Sequence, residues 1–398
     1  MRFLSLLAIT RAPLAAFAAM GILWGTFAAS LPDIKTMLDI DEARLGALMF
    51  MTPIAAVLAM LVAPAVGAAW GRVALPVAAL LMSAAFLLPG HATEVWLFPL
   101  AMLACGAGTG LTDVLMNARV AALENARGQP LMNLCHAGYS FGYAGGAVAT
   151  GAMRSAAWSP AWVLGSMAVV AALMALASFE RDGRIDGLRK PKGVGADHLG
   201  WVPIIGGGIV LLAFLTENAA ENWSALHIEQ TLGGTPSHGA MGPAAMAITM
   251  GLARLVGQGL AARVPPVWLL SAGAAISAVG ALTAALAGSV GAAYLGFIVM
   301  GIGSSVIAPT AFSLVGQMAN PAARARAVAR ATLLGYFGYF FGPPLVGFIA
   351  GHFGLRFAFV FAAVMLLCVP LMARALLRCG DLPQGRGGFT PPAQSPGD

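Results

Sequence analysis

Twelve apolar runs, each long enough to cross a bilayer, constrain the fold of this chain more than any other feature. A transmembrane helix needs about 20 consecutive, mostly apolar residues. Such runs fall at 12–31, 44–66, 73–90, 95–118, 130–152, 160–179, 201–221, 240–260, 266–287, 291–315, 329–350 and 355–377. Because a helix satisfies its own backbone polar groups in lipid, the pattern predicts an all-α membrane protein with twelve transmembrane helices.

The composition agrees with this assignment and excludes other classes. Of the 398 residues, 59% are hydrophobic and only 10% are charged, whereas a soluble domain carries about 25% charged residues. The net charge of +6 comes from basic residues scattered at the ends of apolar runs, which argues against a nucleic-acid partner. The four cysteines match no metal-binding spacing and no phosphate-binding loop is visible, so we expect neither a metal nor another cofactor.

The distribution of basic residues predicts the orientation in the membrane. With the N-terminus inside, only four of the 22 Lys and Arg residues lie on the outer side, namely Lys35, Arg44, Arg154 and Arg356. Basic residues are enriched in cytoplasmic loops, so both termini are predicted to be cytoplasmic, in the inner (plasma) membrane. The first run continues to Leu31, which favours an uncleaved helix over a signal peptide.

The two halves of the chain resemble each other. Gly138 and Gly142 in the fifth run recur as Gly338 and Gly342 in the eleventh, and a glycine pair in the fourth run recurs in the tenth. Duplicated halves that face each other across a cavity at the midplane are typical of transporters. The predicted domains are an N-terminal six-helix bundle (1–179), a cytoplasmic linker (180–199), a C-terminal six-helix bundle (200–377) and a disordered tail (378–398).

Three stretches resemble the major facilitator superfamily, and more narrowly its fucose-permease-like branch. They are 106–142, which contains "DVLMN" and a later histidine, 217–228, "ENAAENWSALHI", and 335–356, "GYFGYFFGPPLVGFIAGHFGLR". The first is similar to bacterial inner-membrane members with a D-V-x-M-N motif. The resemblance implies the major facilitator fold, with two pseudo-symmetric six-helix bundles.

Other positions depart from the patterns of the superfamily. The loop "PAVGAAWGR" has Ala68 and Ala69 where an Asp-Arg pair usually stands, which puts the usual cytoplasmic salt bridge in doubt. Met102 replaces the arginine of many drug antiporters, and Tyr143 replaces a proline of the antiporter pattern. These departures weaken a drug-antiporter assignment.

Asp113 is a carboxylate within a run of otherwise mostly apolar residues. Carboxylates at membrane depth are costly and usually functional, and Asn117 follows one turn later on the same face. The resemblance implies that Asp113 serves proton coupling and that Asn117 contacts substrate. The alternative is that Asp113 only pairs with an arginine such as Arg254 or Arg72. Arg254 and Arg119 are otherwise expected to extend to the membrane surface.

Two further helices carry candidate polar faces. His136, Tyr139 and Tyr143 form one stripe in the fifth run, and we expect it to line a cavity while the neighbouring glycines pack on another helix. The alternative for each is a hydrogen-bonded core residue. Glu217 is a second candidate for proton or substrate binding. The alternative is that Glu217 is only a charged residue at the rim of the cavity. Glu221 is expected to reach the outer water.

The predicted site therefore combines two acids with a set of polar and aromatic side chains. Asp113 and Glu217 are predicted to couple protons, and no residue is predicted to be catalytic. The predicted substrate-binding residues are Trp24, Thr26, Asn117, His136, Tyr139, Tyr143, Asn218, Tyr336 and Tyr339. Fucose permeases carry an aspartate near Trp24 and Thr26, and its absence argues against fucose as substrate. Pro343 and Pro344 are expected to break the eleventh helix.

These features predict a secondary carrier that moves a small solute, sugar-like or otherwise polar or amphipathic, by alternating access, in symport with protons. Proton-coupled efflux of drugs or metabolites is the alternative. An integral-membrane enzyme would need a cluster of acids, His or Cys at one membrane surface, which the sequence lacks. A channel or receptor stays open as a further class. The expected partners are the solute, protons and the lipid bilayer, and the carrier is expected to act as a monomer.

Overall fold

The structure, a computed structural model, describes residues 3–129, 131–183, 185, 200–261, 264–319 and 324–380. Fifteen α-helices make up this part of the chain. They are α1 (Phe3–Leu38), α2 (Glu42–Met49), α3 (Met51–Trp70), α4 (Ala74–Ala85), α5 (Leu88–His91), α6 (Leu97–Arg127), α7 (Met132–Ser155), α8 (Pro160–Ala177), α9 (Val202–Leu226), α10 (Pro236–Ala261), α11 (Pro266–Leu286), α12 (Val290–Ser304), α13 (Ile307–Met318), α14 (Arg324–Phe353) and α15 (Leu355–Gly380).

These helices form twelve membrane crossings, as predicted. Three crossings consist of two helices each, α2 with α3, α4 with α5, and α12 with α13. Within the described residues, nine stretches are long and apolar enough to cross a membrane, and one of them, Glu42–His91, holds two crossings. Helices α7 and α10, which direct polar side chains into the interior, complete the twelve. The predicted linker 180–199 and tail 378–398 lie largely outside the described residues.

The first helix begins earlier than predicted. We expected the first crossing to start after Arg11, but α1 runs through this residue from Phe3. The Arg11 guanidinium donates to the carbonyl oxygens of Ala177 at 2.5 Å and Phe179 at 2.8 Å. Ala177 is the last residue of α8 and Phe179 lies two residues beyond it, so neither carbonyl has a partner within that helix. Because Arg11 finds these acceptors, α1 continues through it.

Closely packed helix pairs repeat in the two halves. In the first half α7 packs on α1, where a Cβ at Gly142 would lie 2.4 Å from the Ala18 carbonyl oxygen. In the second half α14 packs on α9, where a Cβ at Gly338 would lie 2.3 Å from the Leu211 carbonyl oxygen. Small residues allow such close approach of membrane helices. The glycine repeat seen in the sequence therefore corresponds to the same contact in each half.

The two halves meet at the end where α1, α7 and α9 terminate. Arg154, at the end of α7, pairs with Asp33 of α1 and with Glu229, which follows α9. Beside it α2 packs against α14, where a Cβ at Gly46 would lie 2.3 Å from the Pro343 carbonyl oxygen. This end, which the predicted topology places outside the cell, is closed.

Candidate functional site

A central cavity of about 280 Å³ lies between the two halves. The first half contributes residues of α1, α2, α3, α6 and α7 to its wall, and the second half contributes residues of α9, α10 and α14. Both sets include charged and aromatic side chains. The cavity is therefore the candidate binding site.

Asp113 lies on the cavity wall near the middle of α6. Two glycines preceding it let α6 approach α3, because Cβ atoms at Gly106 and Gly110 would lie 2.0 and 2.2 Å from carbonyl oxygens of that helix. The Oδ2 atom of Asp113 accepts a hydrogen bond from the Tyr336 hydroxyl at 3.0 Å. Since Tyr336 belongs to α14, this bond joins the two halves across the cavity.

Asn117 is directed to Asp113 and is not among the cavity-lining residues. Its Nδ2 atom donates to the Asp113 backbone oxygen at 2.8 Å and to Oδ1 at 3.1 Å. Thr26 is likewise off the cavity wall, fully buried in α1. The other predicted substrate-binding residues do line the cavity, and they are Trp24, His136, Tyr139, Tyr143, Asn218, Tyr336 and Tyr339.

Helix α7 presents two different faces, as the sequence predicts. Its His136, Tyr139 and Tyr143 side chains line the cavity, while the glycine face packs on α1. The His136 ring meets the edge of Phe17 at a centroid distance of 4.8 Å. The Tyr143 hydroxyl donates to the Glu221 backbone oxygen at 3.4 Å. Tyr143 of the first half therefore contacts α9 of the second half.

Helix α9 adds two carboxyl groups to the cavity, Glu217 and Glu221. They are one helical turn apart and share a face. Glu217 is only 3% exposed, and its Oε1 atom has no hydrogen-bond partner among the described residues. Glu221 was expected at the outer water. It lines the cavity instead, because α9 continues beyond it to Leu226 before the π-helical turn His227–Thr231.

The two arginines expected at the membrane surface lie elsewhere. Arg254 of α10 lines the cavity and interacts electrostatically with Glu217 and Glu221. No ion pair between Arg254 and Asp113 is present in the described part of the chain. Arg119 is buried, with its Nη2 atom 2.8 Å from an oxygen of Glu180. The ion pair with Glu180 accounts for the buried position of Arg119.

Helix α14 completes the wall with aromatic rings. The Tyr339 ring stacks on Phe214 of α9 at a centroid distance of 4.7 Å. The predicted break at Pro343 and Pro344 is wrong, because α14 is one helix that contains both prolines. Membrane helices tolerate proline where neighbouring groups compensate for the lost backbone bond, and α2 packs directly against this segment.

Two groups of residues were not predicted from the sequence. One is the buried Arg154 cluster, which consists of Arg154, Asp33 and Glu229. The sequence indicated only that Arg154 lies on the predicted outer side. The other is a set of apolar and small polar wall residues, Met20, Met49, Thr52, Met60, Thr109, Met116 and Met250. These side chains are ordinary constituents of membrane helices, so no pattern distinguished them from residues that face lipid.

Comparisons with known proteins agree with this architecture. A model of the family described as the Major Facilitator Superfamily matches residues 206–396. An uncharacterized MFS-type transporter of Yersinia pestis is 32% identical over 369 residues, which cover 91% of this chain and 94% of that protein.

Solved structures of transporters share the fold. A bacterial homologue of the human lysosomal transporter Spinster, in an inward-facing and unoccupied conformation, gives a TM-score of 0.73 at 15% identity, covering 95% of this chain and 99% of that chain. A D-xylose–proton symporter gives a TM-score of 0.73 at 15% identity, covering 94% of this chain and 97% of that chain. At these identities the likeness establishes the arrangement of helices alone.

Proposed function

The chain belongs to the major facilitator superfamily of membrane transporters, and from this premise we propose that it is a proton-coupled carrier of a small polar or amphipathic solute. The observation that carries the proposal is the hydrogen bond from Tyr336 to Asp113. It places an intramembrane carboxylate in contact with the opposite half, inside the central cavity. Intramembrane acids that face a cavity are the usual sites of proton relays.

The hydrogen bond suggests how proton binding is linked to movement. An ionised Asp113 carboxylate accepts from both Tyr336 and Asn117. A protonated carboxyl group is a weaker acceptor for the tyrosine hydroxyl, because hydrogen bonds to ionised groups are the stronger ones. Proton binding would then loosen the contact between α6 and α14 and favour the rocking of one half against the other.

The remaining assignments belong to the same proposal. The cavity-lining residues Trp24, His136, Tyr139, Tyr143, Asn218, Tyr336 and Tyr339 bind the solute, and Asn117 positions Asp113. The "DVLMN" segment supports membership of the fucose-permease-like branch. The carrier is a monomer of two bundles, 1–179 and 200–377, in the inner membrane with both termini in the cytoplasm. In this orientation the cavity is closed toward the outside by the Arg154 cluster.

Efflux by proton antiport is the second candidate, and one observation favours it. Five methionines line the cavity, Met20, Met49, Met60, Met116 and Met250. Methionine adapts its shape to varied apolar surfaces, so this wall suits an amphipathic solute of the kind that exporters remove. Uptake into right-side-out compared with inside-out vesicles distinguishes the two directions.

Transport by the purified protein in proteoliposomes tests the proposal. A thermal-shift screen against sugars, amino acids, amines, organic acids and drugs identifies a ligand, because a bound ligand stabilises the folded protein. We expect saturable counterflow of this ligand and its accumulation against a gradient when a pH difference is imposed. Linear, unsaturable flux would indicate a channel, and saturable flux without any response to the pH difference would reject proton coupling.

A further inference from the structure

We propose that the transported solute carries a protonated amino group, which the Glu217 carboxylate binds within a ring of aromatic side chains. This inference rests on the proposed carrier function and assigns the chemical class of its solute. Three features of the cavity support it: its charge balance, an acceptor without a donor, and aromatic rings on the same wall.

The charged groups on the cavity wall do not balance. In the described part of the chain the wall holds three carboxyl groups, Asp113, Glu217 and Glu221, and one guanidinium, Arg254. The imidazole of His136 also faces the cavity, and an imidazole is largely uncharged at neutral pH. With Glu217 and Glu221 ionised and Asp113 carrying the transported proton, two carboxylates face a single cation. A solute with one positive charge restores neutrality.

Glu217 is the carboxylate best placed to receive that charge. It is 97% buried, since only 3% of its surface is exposed, and it borders the cavity. Its Oε1 atom has no hydrogen-bond partner among the described residues. Arg254 interacts with it electrostatically but forms no ion pair with it within the described residues. A buried carboxylate oxygen without a donor is costly, and an ammonium group of the solute supplies three donors.

Aromatic rings line the same cavity as Glu217. Tyr139 of the first half and Tyr339 of the second half are both part of its wall. The Phe214 ring, stacked on Tyr339, also lines the cavity. Faces of aromatic rings attract cations, most strongly in desolvated sites. The rings and the carboxylate therefore favour the same kind of ligand.

Other solute classes fit this wall less well. An anion would meet three carboxyl groups for one guanidinium. A neutral sugar could donate hydroxyl groups to Glu217, but it would leave the excess negative charge without a counter-charge. The proposal therefore predicts preference for an amine over a neutral molecule of the same shape.

Equilibrium binding to the purified, full-length protein in nanodiscs, at one fixed pH, tests this preference. The probes are matched sets: glucosamine, glucose and N-acetylglucosamine, then 2-phenylethylamine and 2-phenylethanol, with gluconate as the anion. We expect at least one amine to bind about tenfold more tightly than its neutral counterpart. Equal or tighter binding of the neutral or anionic probe, or no binding of either amine, overturns the proposal.

Variants connect the preference to Glu217. Glu217→Gln keeps the shape of the side chain and should remove the roughly tenfold preference, whereas Glu217→Asp keeps the charge and should retain part of it. Glu94→Gln removes a carboxylate that is exposed outside the cavity and should leave the preference unchanged. If Glu217→Gln does not fold, the loss of preference must appear as a graded effect in Glu217→Asp. A full preference in Glu217→Gln or in Glu217→Asp overturns the assignment.

The binding assay also separates this inference from the proposed function. The binding assay uses no pH gradient, so an amine can bind even if proton-driven accumulation fails. That result would support the amine site and contradict proton coupling. Proton-driven accumulation of a neutral solute, with no binding of either amine, would keep the coupling and reject the amine site.

Discussion

Arg154 and Glu229 form a buried, bidentate ion pair between the two halves of the transporter. Nη1 and Nη2 of Arg154 donate to the two carboxylate oxygens of Glu229 at 2.7 and 2.9 Å. Nε and Nη2 hold Asp33 of α1 at 2.7 and 2.6 Å. The Arg154 side chain is only 1% exposed and that of Glu229 13%, so solvent screens this pair little. One guanidinium thus fastens α1, α7 and the end of α9 together at the closed end of the cavity.

Glu229→Gln should weaken this closure. The variant removes the charge that joins Arg154 to the second half, while Asp33 still compensates the arginine within the first half. Loss of one of the two carboxylates that pair with Arg154 weakens the link to the second half, so the population with this end open should rise. Spin labels are attached at the exposed positions Ala156 and Thr235. The mean distance between the two labels, measured by pulsed electron paramagnetic resonance, should be longer in the variant.

Ser155→Ala is the matched control for this prediction. Ser155 hydrogen-bonds Ser237 at the same end of the molecule, at 2.7 Å, but it is exposed and uncharged. Its replacement should leave the distance distribution as in the unmodified protein. An unchanged distribution in Glu229→Gln would show that the ion pair does not hold the closed end.

Asp113→Asn should abolish proton-driven accumulation but leave exchange of solute across the membrane. Asparagine has nearly the same shape and can still accept the Tyr336 hydrogen bond, but it cannot take up a proton at the cavity wall. Accumulation and counterflow in proteoliposomes measure the two activities separately. Tyr336→Phe removes the donor and keeps the acid, so it should lower the rate of accumulation without removing the response to pH. Accumulation that survives in Asp113→Asn would make the residue structural.

Asn117→Ala and His136→Ala should have different effects, although both residues were predicted to bind substrate. The Asn117 amide donates to Asp113, so its loss should alter the pH dependence of transport and change substrate affinity little. His136 lines the cavity, so its loss should weaken substrate affinity and leave the pH profile in place. Binding at fixed pH and transport across a pH series distinguish them. A pure affinity loss in Asn117→Ala would contradict this separation.

Much of this architecture follows from local sequence patterns. The length of the apolar runs predicts twelve crossings, because lipid excludes unpaired backbone groups. Spacings of three and four residues predict the cavity face of α7, since these positions share one side of a helix. The same spacing places Asp113 and Asn117 together. Prediction succeeds where one helix alone determines the outcome.

Prediction fails where the partner of a side chain lies far along the chain. Arg154 is 121 residues from Asp33 and 75 from Glu229, and no local pattern links them. Arg254 was expected at the surface because its acidic neighbours belong to another helix. Helix α14 likewise continues through Pro343 where it packs against α2, a helix far away in the sequence. Contacts between helices decide these cases, and a single sequence does not encode their geometry in any short motif.

Gly142→Ala should destabilise the protein and Gly145→Ala should not, although both glycines lie in α7. A Cβ at Gly142 would lie 2.4 Å from the Ala18 carbonyl oxygen and 3.0 Å from its Cα, so α1 and α7 must move apart. Such overpacking costs about 1–3 kcal/mol or more. At Gly145 no heavy atom lies within 4 Å of the added Cβ, and alanine is preferred over glycine inside a helix by about 0.5–1 kcal/mol. Melting temperatures of the purified variants should therefore fall for Gly142→Ala and stay level or rise for Gly145→Ala. Equal melting temperatures would mean that the close contact between α1 and α7 does not contribute to the stability of the first bundle.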